Sequence, residues 1–296
     1  AELLFYPAKK TEDAYTIPPS VVRIGVGAFN QRDNLKAITL PEGLREIGES
    51  AFQSCINLEE ISIPSSVRYF GDYAFENTAW LKNQAQTFVT VNNQLIAFNS
   101  SDVELKIPDG ITSVSANTVD DDMGTASILC IPKSVTDISQ GMLTLSFDQY
   151  QVDKGNSTFS SMDTVLYNKD RTKIVRYPPG SFSIDYAVNA GVKTIGEGAF
   201  AHNAYLTNVT LPDGLELIQK NAFFSSALNS ISLPSSVTVI EDEAFSNCQG
   251  LKSIIIPSSV AFIGQDAFLH CDELTIYGEE KSYIQKYAKQ QGIRFM

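Results

Sequence analysis

The stretch "IGESAFQSCINLEEISIP", residues Ile47 to Pro64, returns far along the chain as "IEDEAFSNCQGLKSIIIP", residues Ile240 to Pro257. An Ala-Phe pair marks each copy, and the pairs within a cluster are 23 residues apart, once 22. A fixed period of this size is the signature of a stacked repeat, so it decides the fold. The pairs lie at Ala28-Phe29, Ala51-Phe52, Ala74-Phe75, Ala199-Phe200, Ala222-Phe223, Ala244-Phe245 and Ala267-Phe268.

A proline heads each repeat, and two further prolines mark weaker copies. Pro108 and Pro132 precede degraded copies in which Thr118-Val119 and Met142-Leu143 take the place of Ala-Phe. The prolines of the regular copies are Pro18, Pro41, Pro64, Pro212, Pro234 and Pro257.

Each repeat predicts two short strands and a turn. In "LEEISIP" (Leu58 to Pro64) the last residues alternate in polarity, which is typical of a strand with one buried face, and proline ends the strand. "VRYFG" (Val67 to Gly71) predicts a second extended piece. The acidic residues and Ala-Phe that follow predict one helical turn. One repeat is too small to bury its own apolar residues, so stacked copies must share a core.

The sequence also contains a longer repeat, whose two copies are 171 residues apart and each include several short repeats. It pairs "FYPAKKTEDAYTIPPSVVRIGVGAF" with "RYPPGSFSIDYAVNAGVKTIGEGAF". The second copy follows "MDTVLYNKDRTKIVRY" (162–177), which predicts a hairpin turning at Asn168 to Thr172. Since the first copy begins halfway through that hairpin, we expect a strand over Glu2 to Tyr6 and further residues before Ala1 in the natural polypeptide. "FVTVNNQLIAF" (88–98) predicts another hairpin, turning at Asn92-Asn93.

The C-terminal segment departs from the repeat. "LTIYG" (274–278) predicts a strand, and a helix is expected to follow it. Ser282 and Gln285 have the spacing of a capping box, and Gly292 can end the helix. An apolar face formed by Tyr283, Ile284, Tyr287 and Ala288 predicts that this helix covers the open end of the stack.

Composition narrows the classes of partner. The 296 residues carry a formal net charge of −12 with a pI near 4.6, so the surface repels phosphate backbones and anionic lipids. We therefore expect no nucleic-acid partner. No apolar run is long enough to span a bilayer, and "AELLFYPAKK" lacks the pattern of a signal peptide, so we expect no membrane insertion and an export signal already removed.

The units of the form LxxIxIPxSVxxIGxxAFxxCxxL, the segment "VLYNKDRTKIVRYPPG" and the final "LTIYGEEKSYIQKYAKQQGIRF" together resemble the BspA-like leucine-rich repeat family. The resemblance covers essentially the whole chain. It implies an α/β repeat solenoid, a right-handed superhelix rich in strands, with short helical turns, hairpin insertions and a C-terminal capping helix. Members occur on bacterial cell surfaces or are secreted, and some are adhesins.

This organisation predicts one solenoid domain over residues 1–296. The regular repeats occupy about 16–81 and 187–274, and degraded repeats occupy about 106–149. Hairpin insertions are expected near 82–105 and 150–186, with the cap at 275–296.

The residue types that often act in catalysis or metal binding are explained here by their structural roles. His202 and His270 stand where other copies place Ser54, Asn77 and Asn247, so a polar residue ending the turn explains all five. Cys55, Cys248 and Cys271 share one repeat position and are expected to be small buried thiols, whereas Cys130 should face outward. "DDDMG" (120–124) lacks the order of a calcium loop and is expected to be a solvated loop. We predict no catalytic residue, metal or cofactor.

Strand alternation points to one candidate binding surface. If the strand before each proline buries its Ile and Leu, the residues between them line the exposed face of the sheet. Such solenoid faces bind partners, although Ser and Thr also simply tolerate crowded strand positions. This sheet-face set is Thr39, Glu60, Ser62, Asn208, Thr210, Ser230, Ser232, Ser253 and Ile255.

The sequence therefore predicts a non-enzymatic, adhesin-like protein that is secreted or lies on the bacterial cell surface. We expect it to be a monomer that binds a protein or a glycan through the sheet face. A structural spacer within a longer surface protein and, less favoured, a hydrolase of surface polysaccharide stay open as alternatives.

Overall fold

A computed structural model describes residues 1–7, 10–98, 102–115 and 127–296. The chain forms two compact units, each described by itself below. Unit 1 comprises Ala1–Ala126 and Ser134–Leu145, and unit 2 comprises Ser127–Lys133 and Ser146–Met296. The "DDDMG" segment and the Thr118-Val119 pair lie outside the described residues, so the predictions made for them are untested.

Unit 1 is built from very short strands and two short helices, numbered in chain order. These are β1 (Glu2–Leu3), β2 (Ala14–Thr16), β3 (Arg23–Ile24), β4 (Ala37–Thr39), β5 (Glu46–Ile47), β6 (Glu60–Ser62), β7 (Tyr69–Phe70), α1 (Ala79–Lys82), β8 (Phe88–Val91), β9 (Gln94–Phe98), β10 (Glu104–Lys106), β11 (Ser113–Val114), β13 (Asp137–Ile138) and α2 (Gln140–Thr144).

Unit 2 has the same character and ends in the longest helix described. Its elements are β12 (Ile128–Ile131), β14 (Gln149–Val152), β15 (Phe159–Met162), β16 (Val165–Asn168), β17 (Lys173–Arg176), β18 (Asp185–Ala187), β19 (Thr194–Ile195), β20 (Asn208–Thr210), β21 (Leu217–Ile218), β22 (Ser230–Ser232), β23 (Val239–Ile240), β24 (Ser253–Ile255), β25 (Phe262–Ile263), β26 (Thr275–Tyr277), α3 (Tyr283–Gln291) and β27 (Arg294–Phe295).

Each regular repeat contributes one strand to each of two sheets, and the strands from successive repeats run parallel. In unit 1 the strands before the prolines form the sheet β2-β4-β6, and the strands after them form β1-β3-β5-β7. In unit 2 the corresponding sheets are β18-β20-β22-β24-β26-β27 and β15-β16-β17-β19-β21-β23-β25. Neighbouring strands pair at the repeat period, as in Ala37 with Glu60 and Ile38 with Ile61. The β-solenoid expected from the sequence is confirmed at this level.

The predicted hairpins are present. β8 and β9 pair antiparallel, and both Asn92 and Asn93 have the positive φ angles that a tight hairpin turn requires. β16 and β17 also pair antiparallel. β15, which the sequence analysis did not identify, extends this hairpin to three antiparallel strands. The N-terminal strand β1 is shorter than the predicted Glu2 to Tyr6.

The Phe of each Ala-Phe pair stacks on the Phe of the next copy. In unit 1 the rings of Phe29, Phe52 and Phe75 follow one another at centroid distances of 5.1 and 5.6 Å. In unit 2, Phe200, Phe223, Phe245 and Phe268 are spaced at 5.0, 5.0 and 5.4 Å. All of these Phe side chains are buried. Each unit therefore has a continuous aromatic column in its core, as the stacking of repeats predicted.

The prediction of a helical turn at Ala-Phe is wrong. This segment consists of successive turns, in which Ala51 N–H donates to Gly48 O and Cys55 N–H donates to Phe52 O. Ser50 and Ser54 have φ angles of 53° and 58°, which interrupt any right-handed helix. The N–H groups of Ser50, Phe52 and Ser54 donate instead to carbonyls of the next copy, at 2.8 to 2.9 Å. Bonding between copies thus replaces bonding within a helix.

Close stacking of copies explains a recurrent glycine. A Cβ atom at Gly71 would lie 2.2 Å from the backbone N of Glu49 in the preceding copy. At the same repeat position in unit 2, a Cβ on Gly264 would lie 2.3 Å from the N of Asp242. Only glycine lets the two backbones approach this closely.

The C-terminal helix has the predicted ends. The hydroxyl of Ser282 accepts a hydrogen bond from Gln285 N–H at 3.3 Å, and Gly292 adopts a left-handed conformation. On the predicted apolar face, Ile284, Tyr287 and Ala288 are buried in the core of unit 2. Tyr283 is exposed, and its hydroxyl accepts a hydrogen bond from Ile263 N–H of β25. β27, which pairs with β26, was not predicted.

Candidate functional site

The sheet-face set falls into two groups, one in each unit. Thr39, Glu60 and Ser62 lie on β4 and β6 of unit 1, where all three are exposed. Thr39 pairs with Ser62, and Thr16 of β2 extends this row by one copy. The structure therefore places these three residues side by side, as the alternation of the strands predicted.

The other six residues form two rows on unit 2. One row contains Asn208, Ser230 and Ser253, which occupy equivalent positions on β20, β22 and β24. Asn208 and Ser230 are exposed, whereas Ser253 is half-buried rather than exposed as predicted. Its hydroxyl is therefore less accessible than those of its neighbours.

The second row of unit 2 contains Thr210, Ser232 and Ile255, and all three are exposed. Ser232 pairs directly with Ile255, and Thr210 holds the same strand position one copy earlier. Because neighbouring parallel strands are about 4.8 Å apart, the side chains of each row are evenly spaced.

The structure adds residues to these rows that the sequence analysis did not single out. Tyr277 of β26 pairs with Ile255, and its side chain is 38% exposed. At the other end, Asp185 of β18 accepts a hydrogen bond from the Asn208 side-chain amide at 2.7 Å. The signal for Tyr277 was present, because it occupies in "LTIYG" the position that Ile255 has in its own strand.

This face offers a partner mostly short polar groups and one apolar end. Hydroxyl groups both donate and accept hydrogen bonds, and short side chains let another molecule approach the sheet closely. Ile255, which is 51% exposed, and Tyr277 supply the apolar contact surface. Aromatic side chains of this kind are common anchors of binding interfaces.

The two histidines occupy the backbone position that the repeat comparison assigned to them. His202 and His270 have φ angles of 58° and 59°, and Ser54, Asn77 and Asn247 at the same position have 58° to 60°. Asn and His tolerate this left-handed region better than most residues, which explains why they recur there. Burial, with a further contribution from the charge of Arg176, lowers the pKa of His202.

Three of the cysteines are buried thiols, as predicted. Cys55, Cys248 and Cys271 donate hydrogen bonds from Sγ to the carbonyl of the Phe in the preceding copy, at 2.9, 2.9 and 3.1 Å. Burial raises the pKa of Cys55 to about 11 and that of Cys271 to about 12. Since the thiolate is the reactive form, these thiols are poor nucleophiles. Cys130 is half-buried.

A cleft of about 510 Å³ lies in unit 2 between the last repeat and α3. Its lining residues include the acidic residues Asp266, Asp272 and Glu273, together with His270 and Arg294. Sequence reasoning missed this cleft because one side comes from residues 266–275 and the other from α3 and the residues that follow it. Within the described ranges, no three His, Cys, Asp or Glu side chains gather as a metal-ion site.

The helices of the described segments are too short or too polar to cross a lipid bilayer. The longest, α3, has nine residues.

Comparison with known families identifies the class of protein. The family described as BspA type leucine rich repeat region matches in six copies, over residues 4–121 and 180–291. The chain belongs to this family, as the repeat motifs indicated. A comparison with curated proteins found no significant match.

The chain is similar to several solved structures. A leucine-rich repeat protein from Eubacterium ventriosum is 21% identical with a TM-score of 0.57; the alignment covers 90% of this chain and 66% of that protein, just under two thirds. The pneumococcal vaccine antigen PcpA is 22% identical with a TM-score of 0.50, covering 99% and 82% of the two chains. A leucine rich cell surface protein from Faecalibacterium prausnitzii is 23% identical with a TM-score of 0.48, covering 94% and 90%.

Proposed function

We propose that this protein is a non-enzymatic binding protein of the bacterial cell surface or secretome, and that its ligand docks on the exposed sheet face of unit 2. The observation that carries the proposal is the pair of in-register rows built by Asn208, Ser230 and Ser253, and by Thr210, Ser232 and Ile255. Extended repeat sheets of this kind present long regular surfaces to partners. The chain acts as a monomer in this proposal and binds neither nucleic acid nor lipid.

The chemistry of the two rows favours a protein or a glycan as the ligand. Both ligands carry many donors and acceptors, which the hydroxyls of Thr210, Ser230 and Ser232 can meet. The exposed apolar pair Ile255 and Tyr277 adds a surface against which an aliphatic side chain or a sugar ring can pack. Acidic nucleic acids would be repelled by the net charge of −12.

The proposed location follows from the family. BspA-like proteins are found on bacterial surfaces or are secreted, and one protein of the same fold is described as a pneumococcal vaccine antigen. Export of this chain is testable by fractionating the source bacterium and probing each fraction with an antibody raised against the protein. We also propose that the repeats wind as a right-handed superhelix and that α3 with β27 caps the C-terminal end, because terminal repeats need a cover for their apolar side.

The experiment that tests this function is binding of the labelled protein to arrays of host matrix proteins and glycans, repeated with Ser232→Trp and with Thr210→Arg. Each bulky side chain would stand in the middle of the sheet face, so binding should fall at least about tenfold, which corresponds to roughly 1.4 kcal/mol. Ser258→Trp is the matched control, because Ser258 is an exposed serine of unit 2 that lies outside the strands. If Ser232→Trp, Thr210→Arg and Ser258→Trp bind equally well, the sheet face is not the binding site.

A second candidate function, hydrolysis of a surface polysaccharide, is favoured only by the acidic residues that line the cleft near α3. Paired carboxylates are the usual catalytic groups of glycosidases. A screen for glycan hydrolysis with the unaltered protein, followed by Asp272→Asn and Glu273→Gln, distinguishes the two functions. If the unaltered protein hydrolyses a glycan and each substitution abolishes this activity, the protein is a hydrolase and the binding proposal is wrong. The spacer alternative predicts instead that the full open reading frame encodes appended binding or catalytic modules.

A further inference from the structure

One repeat of unit 2 is a residue shorter than its neighbours. From the Phe of the Ala-Phe pair to the Leu before the next strand, this repeat uses residues 223–228, whereas the copies before and after it use 200–206 and 245–251. One residue is therefore missing from the loop of residues 224–227, named here the short loop, and this accounts for the single 22-residue step. β20 still pairs with β22, and β22 with β24, so the missing residue changes the loop and not the sheet.

An open cavity of about 410 Å³ lies at the short loop. Its lining residues are Ala204 of the preceding loop, residues 225–227 of the short loop, and Asn247, Gln249 and Gly250 of the following loop. The volume falls within the range of about 300–1,000 Å³ that is typical of ligand sites. No lining residue is charged, and the polar ones carry hydroxyl or carboxamide groups. The cavity therefore suits a neutral ligand that forms hydrogen bonds.

Two exposed aromatic rings belong to the same side of the repeats. Tyr205 directly follows Ala204, and Phe182 holds the same repeat position one copy earlier. Their side chains are 46% and 74% exposed, and their ring centroids are 4.8 Å apart. Single exposed apolar residues are normal, whereas clustered ones mark interaction sites. The rings therefore extend the cavity with an apolar surface.

Unit 1 has different residues at the equivalent positions. The counterpart of Tyr205 is Asn34, whose side-chain amide donates to the carbonyl of Lys10 at 2.7 Å. One repeat later, the side-chain amide of Asn57 donates to the carbonyl of Asp33, also at 2.7 Å. These amides connect each loop to the one before it. The scaffold therefore does not need an aromatic ring at this position, and the ring requires another explanation.

The two loops on this side of the cavity are held together by Asn203, which is buried. Its side-chain Oδ1 accepts hydrogen bonds from the N–H groups of Tyr205 and Leu206, at 3.3 and 2.8 Å. Its backbone carbonyl accepts a hydrogen bond from Ala227 N–H of the short loop at 2.9 Å. A surface that is fixed in this way loses little conformational entropy when a ligand binds.

We propose that the cavity at the short loop, together with the rings of Tyr205 and Phe182, binds a neutral glycan. A sugar ring has an apolar C–H face, which can pack on an aromatic ring, and a rim of hydroxyls, which can bond hydroxyl and carboxamide groups. A peptide fits less well, because its charged side chains would find no opposite charge among the lining residues. The site lies in the loops before β20, β22 and β24, so it does not rest on the sheet-face proposal.

The arrangement also predicts the length of the ligand. The two rings and the cavity belong to successive repeats, which are about 4.8 Å apart where their strands pair. One sugar ring packed on Tyr205 would leave the cavity to the next sugar in the chain. We therefore expect linked sugars to bind more tightly than a single sugar.

The probes are four neutral tetrasaccharides, built from glucose, mannose, galactose or N-acetylglucosamine, each titrated into the full chain by calorimetry. We expect at least one of them to bind at least about tenfold more tightly than its monosaccharide, a difference of roughly 1.4 kcal/mol. In saturation-transfer NMR with irradiation of the aromatic protons, the C–H protons of one sugar face should receive most of the signal.

Substitutions of exposed residues locate the site. Tyr205→Ala removes a ring and should weaken binding at least about tenfold, or roughly 1.4 kcal/mol. Gly250→Leu should obstruct the cavity, and a Cβ atom there meets no atom closer than 3.4 Å, so the backbone can accept it. Insertion of one Asn after Ser226 restores the loop length of the neighbouring copies and should also weaken binding. Tyr69→Ala is the matched control, because Tyr69 is 48% exposed and lies in unit 1. Unchanged thermal melting shows that each variant is folded.

The proposal is wrong if none of the four tetrasaccharides binds, or if Tyr205→Ala and Gly250→Leu bind them as well as the unaltered chain does. Capture of peptides from an array, lost in Tyr205→Ala, would assign the site to a protein partner instead. Glycan binding that is lost in Ser232→Trp and kept in Tyr205→Ala would place the glycan on the sheet face. The two proposals can therefore fail separately.

Discussion

The first coils of the two long repeats use the same scaffold but bury different residues. In unit 1, Phe5 is exposed, and the guanidinium of Arg32 lies 5.2 Å from its ring centroid. In unit 2 the counterpart of Phe5 is Arg176, which is buried and donates hydrogen bonds to the carbonyls of Gly198 and Ala201. β16 pairs with β17, with Leu166 opposite Arg176, whereas β1 is the last strand of its sheet among the described residues.

Some structural features are the same in both units, and others differ between them. The Phe column, the close-approach glycine and the left-handed turn position are common to both units. The position held by Phe5 and Arg176 differs between the two units in both residue type and burial. The shared features should therefore respond alike to mutation in the two units, and the others should respond differently.

The largest effect should come from the shared column. Phe52→Ala in unit 1 and Phe223→Ala in unit 2 each remove a fully buried ring that stacks on a ring above and below. We expect each to lower the free energy of unfolding by about 3–5 kcal/mol, as is typical of large-to-small core substitutions. Denaturant unfolding measures both. A loss below about 1 kcal/mol in either unit would mean that its column does not carry the core.

The next largest loss of stability should differ between the two copies of the long repeat. Arg176→Ala removes the guanidinium donors to the carbonyls of Gly198 and Ala201, leaves the Ala201 carbonyl without its donor and opens a cavity, so we expect a loss of about 3 kcal/mol. Phe5→Ala removes an exposed ring and should cost less than about 0.5 kcal/mol. Chemical denaturation of both variants checks the difference. Equal losses would contradict the assignment of Arg176 and Phe5 to buried and exposed environments.

A shared steric requirement should give a smaller loss. Gly71→Ala and Gly264→Ala each place a methyl group against the backbone of the preceding copy, and we expect each to destabilise by about 1–3 kcal/mol. Gly43→Ala is the control, because a Cβ there meets no atom within 4 Å, and it should be nearly neutral. Thermal melting of the three variants makes the test, and similar midpoints would show that the copies can separate to admit a methyl group.

The smallest expected effect is a pH dependence of thermal stability that comes from a histidine of unit 2. Because the pKa of His202 is lowered in the folded state, this residue takes up a proton less readily there than in the unfolded chain, where the pKa of His is about 6.5. Its contribution to stability is therefore present above that pH and is lost as pH falls through the lowered pKa. The counterpart in unit 1 is Gln31, which does not titrate and has the same φ of 58°. Melting at pH 5 and pH 8 should show a smaller loss in His202→Gln than in the unaltered chain; an equal loss would exclude His202 as its source.

Local patterns predicted much of the fold, and their failure at the Ala-Phe segment is informative. Proline and alternating residues located both sets of parallel strands, and Asn92-Asn93 located a hairpin. The helical turn at Ala-Phe was wrong because Ser50, Phe52 and Ser54 bond the next copy, which no pattern within one repeat reveals. For the same reason the cleft beside α3 was missed, since its walls come from segments joined only in the folded chain.

The candidate site was predictable in part. Alternation placed Thr210 and Ser232 on an exposed face, and the structure agrees. Ser253 occupies the same alternating position yet is half-buried. Tyr277 could have been found by aligning the last strand with the others, whereas the hydrogen bond between Asp185 and Asn208 depends on side-chain geometry.

The sequence by itself determined the repeat, its period and the family, because a module that cannot bury its own apolar residues must recur at a constant spacing. It also determined which strand positions are apolar, since a two-residue alternation needs no knowledge of distant contacts. Only the tertiary structure decided which edges are covered, which turns bond between copies and where Arg176 finds its acceptors. These features depend on residues far apart in the chain, and their energies arise only when folding brings those residues together.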